Sequence, residues 1–506
     1  MKVVIVGGGT AGWLAALFIS KMHPEHDLVV IESTAIGIVG AGEGSTGLLT
    51  NIIAGRAWDF GCDHDEFLKE TGATLKYGIK HIKWTPKNNF YYGPLDGSMS
   101  FSAIPDGAFA YQHSVDQEKL HTASYMGLLL ETGKSNVDRN TKKFTNYSHA
   151  LHFDAHKVGN YFKKIVLKNN TVKHVDSEVL DITLNEAGFI SSLKLKNQEI
   201  VNGDFFIDAS GFSRVLMKKL ETPWVSYNKN LPVNSAMPFI LDYKENEIPE
   251  PYTTAWAQSS GWMWQIPVLE RKGCGYVFDD NFITPDQAQA EIETTLGRKI
   301  DPIRVLKFDT GRLENAWVKN CLAIGLAAAF AEPLEATSIH STIVQLTKFV
   351  FEHLKPTADL TINQGSINSY NRTVNRMYDD FKEFLVLHYM GGRTDSEFWK
   401  YVTSGATKTE FVNNIIEMSK SKMPTFNDFN EYYGAAGWPL WAWVLAGTNN
   451  LSADISNQEL HWNVPGFGNL GNMSKLEIEP WKIKTLTSID RNFSYHEFIE
   501  HLKTHG

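Results

Sequence analysis

The stretch Val3-Val4-Ile5-Val6-Gly7-Gly8-Gly9-Thr10-Ala11-Gly12-Trp13-Leu14-Ala15-Ala16 admits few folds. A β-branched run leads straight into three glycines, and a small-residue apolar pattern of helical period follows. Strand, Gly-x-Gly-x-x-Gly, then helix is the order in which a dinucleotide pyrophosphate is held. The turn must be tight, the backbone must approach the phosphates, and the helix N-terminus presents free N–H groups and partial positive charge. A second run, Leu28-Val29-Val30-Ile31-Glu32, ends in a carboxylate twenty residues after Gly12. That is the spacing at which an acid meets adenosine ribose hydroxyls. NAD and FAD both satisfy the pattern, and so does a Gly-rich βα turn that binds nothing.

At 506 residues the chain can bury a large core and hold two or three structural units. Its formal charge of −9 argues against nucleic-acid binding, which leaves a basic footprint. Fourteen Trp and 12% aromatics suit flat apolar pockets, or simply an aromatic-rich core. The three cysteines, Cys62, Cys274 and Cys321, form neither a disulfide framework nor a zinc pattern, so a reducing cytoplasm is expected. With a strand at the start of the sequence no signal peptide is expected, and no apolar run reaches the ~18–20 residues of a membrane span. No metal is expected; His496 and His501 read as a solvated helix face.

Residues 1–32 read as β-α-β, the start of a parallel doubly wound sheet. Five glycines in Gly37–Gly47 make a loop that either wraps a cofactor with backbone amides or lies free at the surface. Leu75, Tyr77 and Ile79 alternate with Lys76, Gly78 and Lys80, a strand pattern in which Lys80 has no local mark of function. Residues 85–150 read as loops and short strands over a pocket. A helix follows His152, strands are expected at 178–184 and 190–195, and Asp204–Gly211 resembles a strand returning to the opening sheet. Residues 215–310 read as an antiparallel substrate-side sheet. Within it, Trp262 and Trp264 take alternate positions and share one wall, up to Pro267. Cys321–Ile339 gives strand, glycine turn and helix start. Thr337 and Ser338 are good N-cap types there, either as ordinary caps or with amides open to an anion. From about 356 the pattern is helical and amphipathic, continuing the same globule as a cap. The expected division is therefore 1–355 and 356–506.

Together these segments resemble the flavin-dependent halogenases of the tryptophan-halogenase type. The resemblance spans nearly the whole chain. It rests on Gly7–Trp13, Gly42-Glu43-Gly44-Ser45-Thr46, Gly78-Ile79-Lys80, Trp262-Met263-Trp264-Gln265-Ile266-Pro267 and Gly325–Glu335, with His388-Tyr389 and Phe398-Trp399 fitting too. It implies an α/β fold: an FAD-binding Rossmann-like doubly wound core, an antiparallel substrate-side sheet and a C-terminal helical cap. It implies FAD, reduced by a separate flavin reductase, with O2 and a halide forming hypohalous acid that halogenates an electron-rich aromatic. The carried-over cofactor residues are Gly7, Gly8, Gly9, Thr10, Ala11, Gly12, Glu32, Ser33, Ile36, Val39, Ala41, Gly44, Val179, Gly325 and Leu326. Trp262 and Trp264 wall the flavin side. Lys80 matches the family's essential lysine, and Glu335 matches the acid that holds it and takes the ring proton. The amides of Thr337 and Ser338 match the halide site.

Two departures shape the expectation further. Ser338 stands where glycine is usual and Ala336 where serine is common, which points to bromide or iodide over chloride. Gly437-Trp438-Pro439-Leu440-Trp441-Ala442-Trp443 stands where free-tryptophan enzymes carry a tyrosine pair and an acid, so a less polar indole or a phenol is the expected substrate. The alternatives are a flavin monooxygenase that hydroxylates its substrate and a non-catalytic flavin-binding protein. No nucleic-acid or membrane partner is expected, and a homo-oligomer stays open.

Overall fold

Five parallel strands form the first sheet, in the spatial order Cys321–Ala323, Phe205–Asp208, Lys2–Val6, Asp27–Glu32, Val172–Asp176. Trp317–Val318 adds one antiparallel edge strand. This is a computed structural model, and it describes residues 1–36, 42–96, 105–146, 149–168, 172–355, 362–429, 437–464, 466 and 468–505. The opening strand is apolar on both faces, with Val3, Val4 and Ile5 fully buried, as a central parallel strand must be. Its chain neighbour pairs on one side and strands from much later pair on the other. The topological switch point therefore lies at its carboxyl end, where open α/β sheets bind ligands.

The chain divides into two units, each drawn from three segments. One comprises Met1–Ala73, Phe153–Asn228 and Asp309–Asp379; the other comprises Thr74–His152, Lys229–Phe308 and Asp380–Gly506. These units do not divide at residue 355. The strands at 172–176, 205–208 and 321–323 return to the sheet opened by the first strand, while 74–152, 229–308 and 380–506 build the other unit.

The second unit is organised on a seven-stranded sheet, in the order Leu306–Lys307, Ser235–Asp242, Arg271–Phe278, Gly261–Pro267, Tyr252–Ala257, Gly78–Ile82, Phe90–Pro94. Every pairing is antiparallel except that of Tyr252–Ala257 with Gly78–Ile82. Met237, Phe239, Met263, Tyr276 and Phe278 bury one face against Ala288 and Ile292 of the helix Pro285–Leu296. That helix interrupts a stretch read as sheet, although its capping box, Thr284 with Gln287, and its N-terminal proline stand in the sequence. Residues 85–150 likewise contain helices, Pro105–Val115 and Tyr125–Thr132, rather than loops and strands alone. Ser124 Oγ accepts from Gly127 N–H at the start of the second, and Gly133 at φ +60° ends it. The aromatic-rich composition masks these local signals. Late in the chain the helix Leu470–Ile489 also forms without an amphipathic pattern to announce it.

Candidate functional site

In the first unit the glycine turn is fixed by close approach. A Cβ on Gly7, whose φ is +123°, would lie 2.2 Å from the Ala209 carbonyl oxygen, and one on Gly12 would lie 1.9 Å from that of Gly7. Gly9 differs, because no atom of the described residues lies within 4 Å of its Cβ position. It precedes the helix Thr10–Met22, at whose start no side chain caps the amides. Open space beside uncapped amides fits a phosphate. Thr10 Oγ1 donates to the Ala155 carbonyl at 3.3 Å and so faces the protein. Ala11 borders Gly325, whose Cβ would stand 3.0 Å from that of Ala11. Gly325 adopts φ +58°, and its N–H donates to Gln345 Oε1 at 3.2 Å. Gly325-Leu326 is thereby docked on the first helix.

Glu32 ends its strand as expected, but its carboxylate already has partners. Oε2 accepts from Trp13 Nε1 at 3.2 Å, while Oε1 takes the Lys163 ammonium and lies 2.8 Å from His174 Nε2. It also fills the space over Gly8, where a Cβ would meet Oε2 at 1.9 Å. A carboxylate has about four lone-pair sites, so room for one ribose hydroxyl remains. Ser33 is half-buried, and Ile36 follows 74% exposed, an apolar side chain open to an adenine-like ring. Gly44 is half-buried in the two-residue strand Glu43–Gly44. Val179 begins the strand Val179–Leu184, opposite Leu195. Val39 and Ala41 lie outside the described residues. The turn, the uncapped amides and exposed Ile36 fit an FAD.

Glu335 closes the short turn Pro333–Glu335 and is 9% exposed. Ala336 then takes φ +53°, and the helix Thr337–Lys348 begins. Thr337 and Ser338 are therefore the first helical residues and not N-caps; the cap is Ala336, which has no side-chain oxygen to offer the amides. Their N–H groups consequently lack a side-chain cap, which leaves an anion-receptive helix start. Ser338 itself is exposed, and its carbonyl accepts from Thr342 Oγ1 at 2.8 Å. His340, one turn on, places Nδ1 2.9 Å from Thr46 Oγ1 and ties the Gly42–Thr46 loop to this helix. Burial pushes the His340 imidazole down to about 4, so the ring is neutral at pH 7.

In the second unit Trp262 and Trp264 do share a face, with ring centroids 6.4 Å apart. Trp262 is fully buried, and its indole N–H has no partner among the described residues. Trp264 lies over Gly275, where a Cβ would fall 2.0 Å from the ring. Trp84 abuts Trp262, Tyr389 and Trp399, and its Nε1 donates to the Ala255 carbonyl at 2.9 Å. The segments His388-Tyr389 and Phe398-Trp399, remote in sequence, thus line the same aromatic cluster.

Lys80 is only half-buried, and its ammonium is already enclosed. Nζ stands 4.4, 5.3 and 5.7 Å from the ring centroids of Phe90, Tyr252 and Tyr92, an aromatic cage made by the two neighbouring strands. Burial lowers its pKa, and Glu250 opposes that shift. The deeply buried lysine of this region is Lys76, 1% exposed on the strand Thr74–Lys76. Lysines are almost never buried to that degree without a purpose or a partner. Burial, and then the charge of Lys76, hold His152 well below the ordinary histidine range. That ring rests between Thr253 Oγ1 at 2.9 Å and Thr74 Oγ1 at 3.3 Å. In the sequence, alternation leaves Lys76 and Lys80 equal; in the structure they stand on different strands and differ in burial.

The helix Trp438–Gly447 carries no ionisable side chain, and Trp441 and Trp443 are buried. A tyrosine pair does occur shortly before it, at Tyr432-Tyr433, and lies outside the described residues. All three cysteines are free thiols, and burial pushes Cys62 and Cys274 up to about 12, which removes them as nucleophiles at neutral pH. No helix among the described residues is long and apolar enough to cross a membrane.

The family model for tryptophan halogenase matches residues 2–459. Tryptophan 6-halogenase ThaL of Streptomyces albogriseolus is 31% identical over 469 residues, covering 85% of each chain. Tryptophan 7-halogenase RebH of Lentzea aerocolonigenes is 30% identical over 469 residues, covering 86% of this chain and 85% of its own. Among solved structures, Tar14, a tryptophan C-6 flavin-dependent halogenase (chlorinase) from taromycin biosynthesis, superposes with a TM-score of 0.87 at 27% identity. That match covers 99% of this chain and all of Tar14.

Proposed function

The chain belongs to the tryptophan halogenase family, flavin-dependent enzymes that halogenate aromatic rings, and from that premise we propose that it places bromide or iodide, in preference to chloride, on an electron-rich indole or phenol. The observation that carries the halide half is the helix start at Thr337, uncapped and entered through Ala336 in the left-handed region. Thr337 and Ser338 offer amides to an anion, and the side chain at 338 changes the room available to it.

When bound, reduced FAD supplies two electrons to O2 and the halide supplies two more, which yields hypohalous acid and water. Gly7–Gly12 hold the cofactor's pyrophosphate, Glu32, Ser33 and Ile36 hold its adenosine end, and Gly325-Leu326 flank the first helix. A buried ammonium then hydrogen-bonds the hypohalous oxygen and gives it a proton as the O–halogen bond breaks, so that the halogen passes to the ring as an electrophile and the oxygen departs as water. We assign this role to Lys76, because the electrophile must be kept from bulk water and Lys76, not Lys80, is the buried one of the two. Lys80 is the alternative, and its ammonium would first have to leave three rings. Glu335 takes the proton lost from the ring carbon. Trp262 and Trp264 form the flavin-side wall. A helix without charge at Trp438–Gly447 gives an amino acid's ammonium and carboxylate no ionic partner, which favours a less polar arene over free tryptophan.

The test incubates purified protein with FAD, a flavin reductase with NADH, each of three halides, and a panel of indoles and phenols that includes free tryptophan. Mass spectrometry should find halogen isotope patterns or mass shifts, strongest with bromide or iodide. Clear chloride preference overturns the halide reading, and free tryptophan as best substrate overturns the arene reading. Gain of a single oxygen would make the protein a monooxygenase; no product on a wide panel would leave it a flavin-binding protein.

A further inference from the structure

The function above leaves unused the turn that joins the helix Thr10–Met22 to the strand Asp27–Glu32. It reads His23-Pro24-Glu25-His26. His23 Nε2 lies 2.9 Å from the Val350 carbonyl oxygen, and His26 Nε2 lies 3.0 Å from that of Lys355. A carbonyl only accepts, so each Nε2 carries the proton, and a neutral ring then has a bare lone pair at Nδ1. Both Nδ1 atoms are buried and have no hydrogen-bond partner among the described residues. Two orphaned acceptors in one four-residue turn call for a Lewis acid or a donor.

Glu25 brings Oε1 to 3.3 Å from His23 Nδ1. That separation matches the edge of a tetrahedron with metal–ligand bonds of about 2.0–2.1 Å. A ring nitrogen of each histidine and a carboxylate oxygen of Glu25 lie within 4.8 Å of one another. The backbone carbonyls complete the pattern, because a metal-bound histidine usually donates its other ring N–H to such a group, which fixes tautomer and orientation. An ion pair of protonated His23 with Glu25 would satisfy one ring only. Glu25 Oε1 also stands 3.9 Å from His26 Nε2, but that approach leaves His26 Nδ1 as it was.

We propose that His23, Glu25 and His26 form a binding site for a divalent transition-metal ion of the zinc type, with water completing the shell on the side where Glu25 is exposed. Val350 belongs to the π-helical end, Phe349–His353, of the helix that starts at Thr337. The ion would pin the tail of that helix to the nucleotide fold and so play a structural part, whatever substrate the enzyme takes.

Tag-free full-length protein, stripped with a chelator, would be titrated with Zn2+ and separately with Co2+. One equivalent should bind, Co2+ should give visible absorption of tetrahedral intensity, and Zn2+ should raise Tm. Glu25→Gln changes an exposed residue and should fold with an unaltered metal-free Tm, yet bind at least about tenfold more weakly. His26→Gln should abolish the Co2+ signal. Failure to bind one equivalent, or equal affinity in wild type and both variants, would overturn the site.

Discussion

The two glycines Gly9 and Gly12 separate what the turn does for the fold from what it does for the cofactor. At Gly12 an added Cβ would lie 1.9 Å from the Gly7 carbonyl oxygen, against an ordinary contact of 3.4 Å or more. The backbone would have to give by roughly 1.5 Å, and overpacking of that kind costs about 1–3 kcal/mol. It cannot move freely, because Gly7 N–H donates to the Ile31 carbonyl at 2.8 Å. Gly12→Ala should therefore lower both Tm and FAD affinity. At Gly9 the same methyl meets no atom of the described residues within 4 Å, and φ is −76°. Gly9→Ala should leave stability within about 0.5 kcal/mol of wild type. If the pyrophosphate occupies that space, affinity should still fall about tenfold or more, or about 1.4 kcal/mol. Differential scanning fluorimetry and flavin-fluorescence titration read the two quantities separately. An unchanged FAD Kd in Gly9→Ala, or a Gly12→Ala protein as stable as wild type, would refute the reasoning.

Replacing the two lysines in turn tests burial as the criterion. Lys76→Met should abolish halogenated product while FAD still binds, whereas Lys80→Met should keep product and lose only about 0.5–2 kcal/mol of cation–π stabilisation; the reverse result returns the role to Lys80. For Glu335→Gln, product formation should fall about 100-fold or more at unchanged Tm, measured under single-turnover conditions, if the carboxylate takes the ring proton. Gly275→Ala drives a methyl into the Trp264 ring and should lower stability by about 1–3 kcal/mol, seen in urea melts. Asp96 supplies a pH test. Burial pushes its carboxyl up to about 7 from the usual 3.8, so the folded chain holds a proton that the unfolded chain releases. Stability should then fall as pH rises from about 4 to 7, and Asp96→Asn should flatten that slope in Tm measured across the range. An identical slope in the variant would show that other groups set it.

The first strand, its glycine turn and helix, and the second strand are legible directly, because they are contiguous and each obeys a local rule. The strand at 205–208 is legible for the same reason, as a buried run closed by acid and glycine. The interleaving of two units is not, since hydrogen bonding between strands about two hundred residues apart, such as Val3 with Phe205, leaves no local mark. Thr337 and Ser338 show the limit of residue-type rules: both are good caps by preference, yet Ala336 caps the helix because the turn before it demands φ +53°.

A dinucleotide fold of a recognisable family follows from the order of residues alone, because strand, turn and helix are short-range events and their residues lie together. Which lysine is dry belongs to tertiary packing. Lys76 and Lys80 sit four residues apart on similar patterns, and their difference arises from what distant strands lay over them: Phe90, Tyr92 and Tyr252 around one, near-complete enclosure around the other. Burial sums over the whole chain, so no local pattern contains it.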